Sequence, residues 1–150
     1  MRTNTVRRRT AFTLVELVVV VMILGILAAI AAPKLFSTTK TATDNSVKAS
    51  LRVIRNAIDV YSANNAGAPP GADGTQATFY TNLQLYLRSP VFPSSAVGAK
   101  NNLVRIQTTG QPLTADANPT QGWAYDNVSG QFICNSAAIS SDGVTAYSSF

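Results

Sequence analysis

Between Phe12 and Ala32 the chain reads FTLVELVVVVMILGILAAIAA, with a single charge, Glu16. As a helix rising 1.5 Å per residue this run spans roughly 31 Å, which matches the hydrocarbon core of a bilayer. Burial inside a soluble core fails on arithmetic, because about 118 residues follow Ala32, too few to cover such a helix on every side. Arg2, Arg7, Arg8 and Arg9 precede the run and supply four units of the formal net charge of +5. The rest of the chain is nearly neutral, so the basicity is a leader before an apolar segment and not a phosphate-binding surface. Basic residues ahead of a span stay on the cytoplasmic side, which sends the C-terminal bulk across the membrane.

Composition removes most chemistry from the residues after the span. The 150 residues contain no histidine and one cysteine, Cys134. Ser-His and Cys-His catalytic pairs, Cys-rich zinc sites, internal disulfides and C-x-x-C redox pairs are therefore unavailable. Seven carboxylates form no recognisable cluster along the chain. The expectation is a protein that is not an enzyme and carries no catalytic, cofactor or metal site.

Two targeting segments fit the outline. A secretory signal would use the small-residue pattern Ala29-Ile30-Ala31 and release a soluble binding domain beginning at Ala32. Against it stand the length of the apolar run and the position of Glu16. A carboxylate in hydrocarbon costs about 2.5–3.5 kcal/mol on insertion scales, so it requires a reason. A membrane-anchored protein that never polymerises is the other alternative.

The string RRRTAFTLVEL, Arg7 to Leu17, closely resembles the signal of type IV prepilins and type II secretion pseudopilins. The resemblance implies cleavage between Ala11 and Phe12 by a prepilin peptidase, followed by methylation of the new Phe12 amine. The family usually has Gly before the cut, where this chain has Ala11. Glu16 takes the place of the acidic residue at the fifth mature position. An amine and a carboxylate together cost far less in lipid than either alone. Within one chain that pairing is cramped, and the resemblance implies that Glu16 pairs with a neighbouring subunit and sets the filament register. Gly25 and Pro33 fall where many pilins carry helix-loosening residues, and a kink or melted stretch is expected between them on assembly. Also implied are polymer partners of the pilin class, an assembly platform with its ATPase, residence in the inner membrane with a cytoplasmic N-terminus, and assembly into a periplasmic or extracellular filament. A nucleic-acid partner is not expected.

Beyond Pro33, the residues Val47, Leu51, Ile54, Ile58 and Tyr61 recur at spacings of four and three, an amphipathic helical stripe. Gly67, Pro69 and Pro70 stop this helix near Asn65. Lys48, Arg52 and Arg55 form a second line, which Asp44 and Asp59 at i,i+4 distance are expected to neutralise as a solvated flank. The chain then divides into a leader over 1–11, a transmembrane helix over 12–32, its amphipathic continuation over 33–65 and a globular module over 66–150.

Within the module, residues 66–78 read as a loop and 79–89 as a short helix or turn that ends before Pro90 and buries Leu83, Tyr86 and Leu87. Leu103 to Thr109 alternates like a strand, and GWAYD with QFICN reads as a hairpin around Asn127-Val128-Ser129-Gly130. The phrase GWAYDNVSGQF resembles the hairpin of pilin-like globular domains. Trp123 and Tyr125 are expected to pack in the core and not to stack on sugars, and Cys134 to be a small core residue. Asp142-Gly143 weakly resembles the calcium loop of the major secretion pseudopilins, with too few oxygen ligands nearby to commit to a cation. Asn127-Val128-Ser129 matches a glycosylation sequon by composition alone. The fold class expected is α+β, a long N-terminal helix packed on a small antiparallel sheet, pilin-like.

Overall fold

The computed structural model describes residues 12–89 and 91–150. Ala11 and the leader arginines lie outside the described residues. The helix α1 runs from Leu14 to Asn64, and the contacts divide the chain into one unit ending at Thr38 and a second from Thr39 to Phe150. In the first unit Gly25 and Pro33 both lie inside α1. Downstream of Pro33, the hydroxyls of Ser37 and Thr38 donate to the Lys34 carbonyl at 2.9 Å.

The second unit holds the core. Val47, Leu51, Ile54, Ala57 and Ile58 of α1 are buried against Phe79, Leu83, Trp123, Tyr125 and Phe132. α1 ends through its own turn chemistry. Gly67 N–H donates to the Ser62 carbonyl at 2.8 Å across Ala66, whose φ is +54°. This is a Schellman-type stop with alanine in the left-handed position that favours glycine. Replacing Ala66 by Gly should raise the unfolding free energy of the full chain in detergent by about 0.5–1 kcal/mol, read from a urea titration.

The second helix, α2, spans Gln76–Leu83. It begins and ends earlier than the sequence suggests, because Thr75 caps it by accepting from Thr78 N–H and because the chain turns after Leu83. Phe79 replaces Tyr86 and Leu87 as its principal buried partner to Leu83, and the latter two are half-buried. Three strands follow, β1 Val104–Gln107, β2 Trp123–Asp126 and β3 Phe132–Cys134. A single 3-10 turn over Tyr147–Ser149 closes the chain.

The class is α+β, as expected, but the sheet is mixed and not antiparallel throughout. β2 and β3 are antiparallel, with Trp123 opposite Cys134 and Tyr125 opposite Phe132. β1 runs parallel to β2, pairing Val104 with Trp123 and Ile106 with Tyr125. A tight turn joins only the first of these pairs; residues 108–122 bring the chain back to the starting end of the sheet before β2, which is what a parallel pairing requires. Those residues also explain why β2 and β3 are buried on both faces. Trp123, Tyr125, Phe132 and Cys134 face the α1 side, while Ala124 and Ile133 on the other face pack with Leu113.

Candidate functional site: the exposed apolar helix and the clasped module

The N-terminus of α1 is built by a reciprocal cap. Thr13 N–H and Oγ1–H donate to Glu16 Oε2 at 2.9 and 2.8 Å, and Glu16 N–H donates to Thr13 Oγ1 at 3.2 Å. Thr-x-x-Glu before an apolar run is the capping-box pattern, in which two otherwise unpaired backbone donors are satisfied. Thr13 carries no role in the expectations drawn from sequence, although the spacing alone signals it. Phe12 stands beside this cap, 77% exposed. From Leu14 to Phe36 every large apolar side chain is exposed, and none of the most apolar window of α1 is buried within the chain. So long an apolar surface is a surface meant for lipid or for other helices.

The charges of the amphipathic half do different work from that expected. Asp44 is buried and does not serve as a simple partner of Lys48. Its Oδ1 accepts from Tyr147 Oη at 2.6 Å, and its Oδ2 accepts from Ser141 N–H at 3.0 Å and from the Ser141 hydroxyl. Burial pushes this carboxyl up, but the Ser141 and Tyr147 hydrogen bonds, with Lys48 nearby, outweigh it and leave the group below the ordinary aspartate range. Arg55 donates through Nε and Nη2 to the Phe132 carbonyl at 3.0 and 2.8 Å, and through Nη2 to the Phe150 carbonyl at 2.7 Å. Phe132 lies on β3, an outer strand of the sheet, so Arg55 covers a carbonyl that would otherwise invite another strand. Lys48 Nζ sits 4.3 Å from the centre of the Phe150 ring. Asp44, Lys48 and Arg55 of α1 thus hold the C-terminal segment as a clasp, while Arg52 and Asp59 of the expected flank stay exposed. No local pattern signals it, since the partners are about a hundred residues away.

Trp123 and Tyr125 are fully buried, and Trp123 Nε1 donates to the Pro93 carbonyl at 2.8 Å. A buried ring cannot stack on a sugar. Asn127 is buried too, and its Nδ2 donates to the carbonyls of Gly71 at 3.0 Å and Ala72 at 3.4 Å. The sequon amide is therefore spent on holding a loop. Asp142 Oδ1 accepts from Ser140 Oγ, Val144 N–H and Thr145 N–H, and among the described residues no group of three or more His, Cys, Asp or Glu could hold a metal.

Residues 6–32 match the family model described as the prokaryotic N-terminal methylation motif. The N-terminal segment thus carries a prokaryotic N-terminal methylation motif. The chain is 38% identical over 71 residues to core protein G of the type II secretion system of Pseudomonas aeruginosa, covering 47% of this chain and 50% of that one. It is 26% identical over 125 residues to core protein G of Escherichia coli, covering 81% of each. It is also 37% identical over 62 residues to the major component of the type IV narrow pilus of Thermus thermophilus, covering 41% and 53%. The chain spans about half the length of the first of these curated relatives. No solved structure matches it.

Proposed function

We propose that this chain is a structural, non-catalytic subunit of a type II secretion pseudopilus or type IV pilus, assembled through α1. The observation that carries the reading is the fully exposed apolar stretch of α1 with one carboxylate, Glu16, at its head. Before assembly that stretch is dissolved in the inner membrane, with the leader 1–11 cytoplasmic and the 66–150 module on the far side. A prepilin peptidase cuts between Ala11 and Phe12, and the methylated Phe12 amine becomes the partner of Glu16 on an adjacent subunit. In the single chain Glu16 is held by Thr13, so its transfer to that amine exchanges one satisfied state for another and avoids a bare charge in lipid. Gly25 and Pro33 loosen α1 within the bundle. An ATP-driven platform and sister pilins complete the set of partners. Of the two filament types the relatives favour the secretion one: the match to the Escherichia coli core protein extends over most of both chains, whereas the pilus match ends within 62 residues.

The test combines processing and polymerisation. Mass spectrometry of the mature chain should find N-methylated Phe12. Glu16→Leu should insert and be processed, yet filament yield should fall at least a hundredfold, as expected when one partner of a buried ion pair, worth about 3 kcal/mol or more, is removed. A mature chain that keeps Arg2 to Arg9, or a Glu16→Leu chain that polymerises normally, would overturn the reading.

A further inference from the structure

α1 passes through Pro33 without ending, so Lys34, Leu35 and Phe36 continue the helical surface that begins at Leu14. Leu35 is 67% exposed and Phe36 72%. No large apolar residue follows them on α1 until Val47, which is buried in the core of the module. Ser37 and Thr38, directly after Phe36, turn their hydroxyls back onto the Lys34 carbonyl. The surface of the helix thus changes from apolar to polar within one turn, and the change falls after Phe36 and not at Ala32.

Leu14 to Phe36 spans roughly 35 Å at 1.5 Å per residue, about 5 Å more than the hydrocarbon core and within the thickness that includes the headgroups. Charge marks both ends of this stretch. Between Leu17 and Thr43 the chain has no carboxylate, and its only charges are Lys34 and Lys40. Glu16 and Lys34 stand roughly 27 Å apart along the helix, so each can lie at one face of a bilayer with nothing charged between them. Centring the bilayer on Phe12 to Ala32 instead would sink the Glu16 carboxylate about one helical turn into hydrocarbon, where ionised side chains are costly. A lysine stem lies along apolar surface and carries its ammonium out to the interface, where an anionic headgroup supplies the opposite charge.

We infer that Lys34, with Leu35 and Phe36, anchors α1 in the headgroup layer of the leaflet opposite the leader by engaging the phosphate of an anionic phospholipid. The inference rests on the membrane residence proposed above. Leu35 and Phe36 supply the apolar contact at the boundary of the acyl chains, and Lys34 supplies the charge. Together they set the depth of α1 before assembly. With Lys34 held at one surface, Glu16 and its Thr13 cap wait at the other and not inside the oil.

The experiment reconstitutes the full-length chain from detergent into vesicles of phosphatidylcholine with or without phosphatidylglycerol. Phe36→Trp supplies a fluorescent reporter at an exposed position, while Trp123 is fully buried in the module and gives a background that the parent chain measures. The fluorescence gained over the parent should be quenched more strongly by bromines near the headgroup end of the acyl chains than by bromines at the bilayer centre. Brominated phosphatidylglycerol in phosphatidylcholine should prove about fivefold enriched beside the reporter, the effect of one lysine at an anionic surface. Lys34→Gln should abolish that enrichment, and Lys34→Arg should keep it. Three results would overturn the inference: fluorescence that no bromine quenches, whether the reporter is in water or covered by a second copy; quenching strongest at the bilayer centre; or an enrichment that is absent from the Phe36→Trp chain or survives Lys34→Gln. A chain that fails to enter vesicles would instead overturn the membrane reading itself.

Discussion

Gly122→Ala is expected to destabilise the module more than any other single methyl addition at its glycines. A Cβ at this position would lie 2.3 Å from the Asn101 carbonyl oxygen and 2.9 Å from Ser95 Cβ. The oxygen belongs to backbone that is itself tied down, since it accepts from Ser95 N–H at 2.9 Å. Asn101 is pinned further by its side chain, which accepts from Gly122 N–H at 2.8 Å and Leu103 N–H at 3.1 Å and donates to the Thr120 carbonyl at 2.9 Å. Relief of the clash must therefore move β2, whose first residue is Trp123, or the 95–101 loop. Overpacking against backbone of this kind costs about 3 kcal/mol or more. Urea denaturation of the full chain in detergent, followed by Trp123 fluorescence, should show the midpoint lowered accordingly. An unchanged midpoint would mean that the loop yields freely. Gly130→Ala is a useful contrast, because its Cβ meets nothing within 4 Å and its cost is confined to the backbone strain of a φ of +73°.

Asp44→Ala should release the C-terminal segment from α1. The substitution removes the acceptor for Tyr147 Oη and for both donors of Ser141. Buried donors left without partners cost about 1–3 kcal/mol each, so a loss of about 3 kcal/mol is expected even with partial solvation. Because the held segment packs on β3 through the Tyr147–Ser149 turn, hydrogen exchange should accelerate at Ile139 to Phe150 before it does in β2. Asp44→Asn keeps an oxygen acceptor and should cost less. Exchange rates in that segment identical to the parent's would refute the clasp.

The same contact has a pH signature. The Asp44 carboxyl is held below its ordinary value, so its stabilisation is complete above the unfolded value of about 3.9 and disappears as pH falls through the folded one. Tyr147 moves the opposite way. Burial first, and the adjacent Asp44 second, push it up to about 12, so its contribution is complete below about pH 10 and is lost as pH rises toward the folded value. Stability of the C-terminal segment should thus be level across neutral pH and fall at both extremes. In Asp44→Ala the acid limb should shrink.

Much of this protein is written in local pattern. The bilayer-length run from Phe12 to Ala32, the lone Glu16, the stripe Val47, Leu51, Ile54 and Ile58, and the hairpin around Asn127 to Gly130 each follow from spacing within a few turns or strands. The structure has the stripe buried and the hairpin formed about that turn. Periodicities of this kind are read directly because they are set by helix and strand geometry alone.

The arrangement of charges came from long-range packing. Spacing offered Asp44 to Lys48 and Asp59 to Arg55 as surface pairs, yet Asp44 is taken by Ser141 and Tyr147, and Arg55 by the carbonyls of Phe132 and Phe150. An exposed i,i+4 pair contributes a few tenths of a kcal/mol, whereas a hydrogen bond that satisfies a buried charged group contributes several times more, so the distant partner prevails. The parallel pairing of β1 with β2 had the same origin. Residues 108–122 carry no strong period of their own, and their path was set by Leu113 covering Ala124 and Ile133 and by Asp116 engaging Asn135. The order of residues along the chain thus dictates which segments are helical, apolar or turned. Which distant groups those segments meet is settled only in the folded chain, because such partners are chosen by burial and not by proximity along the chain.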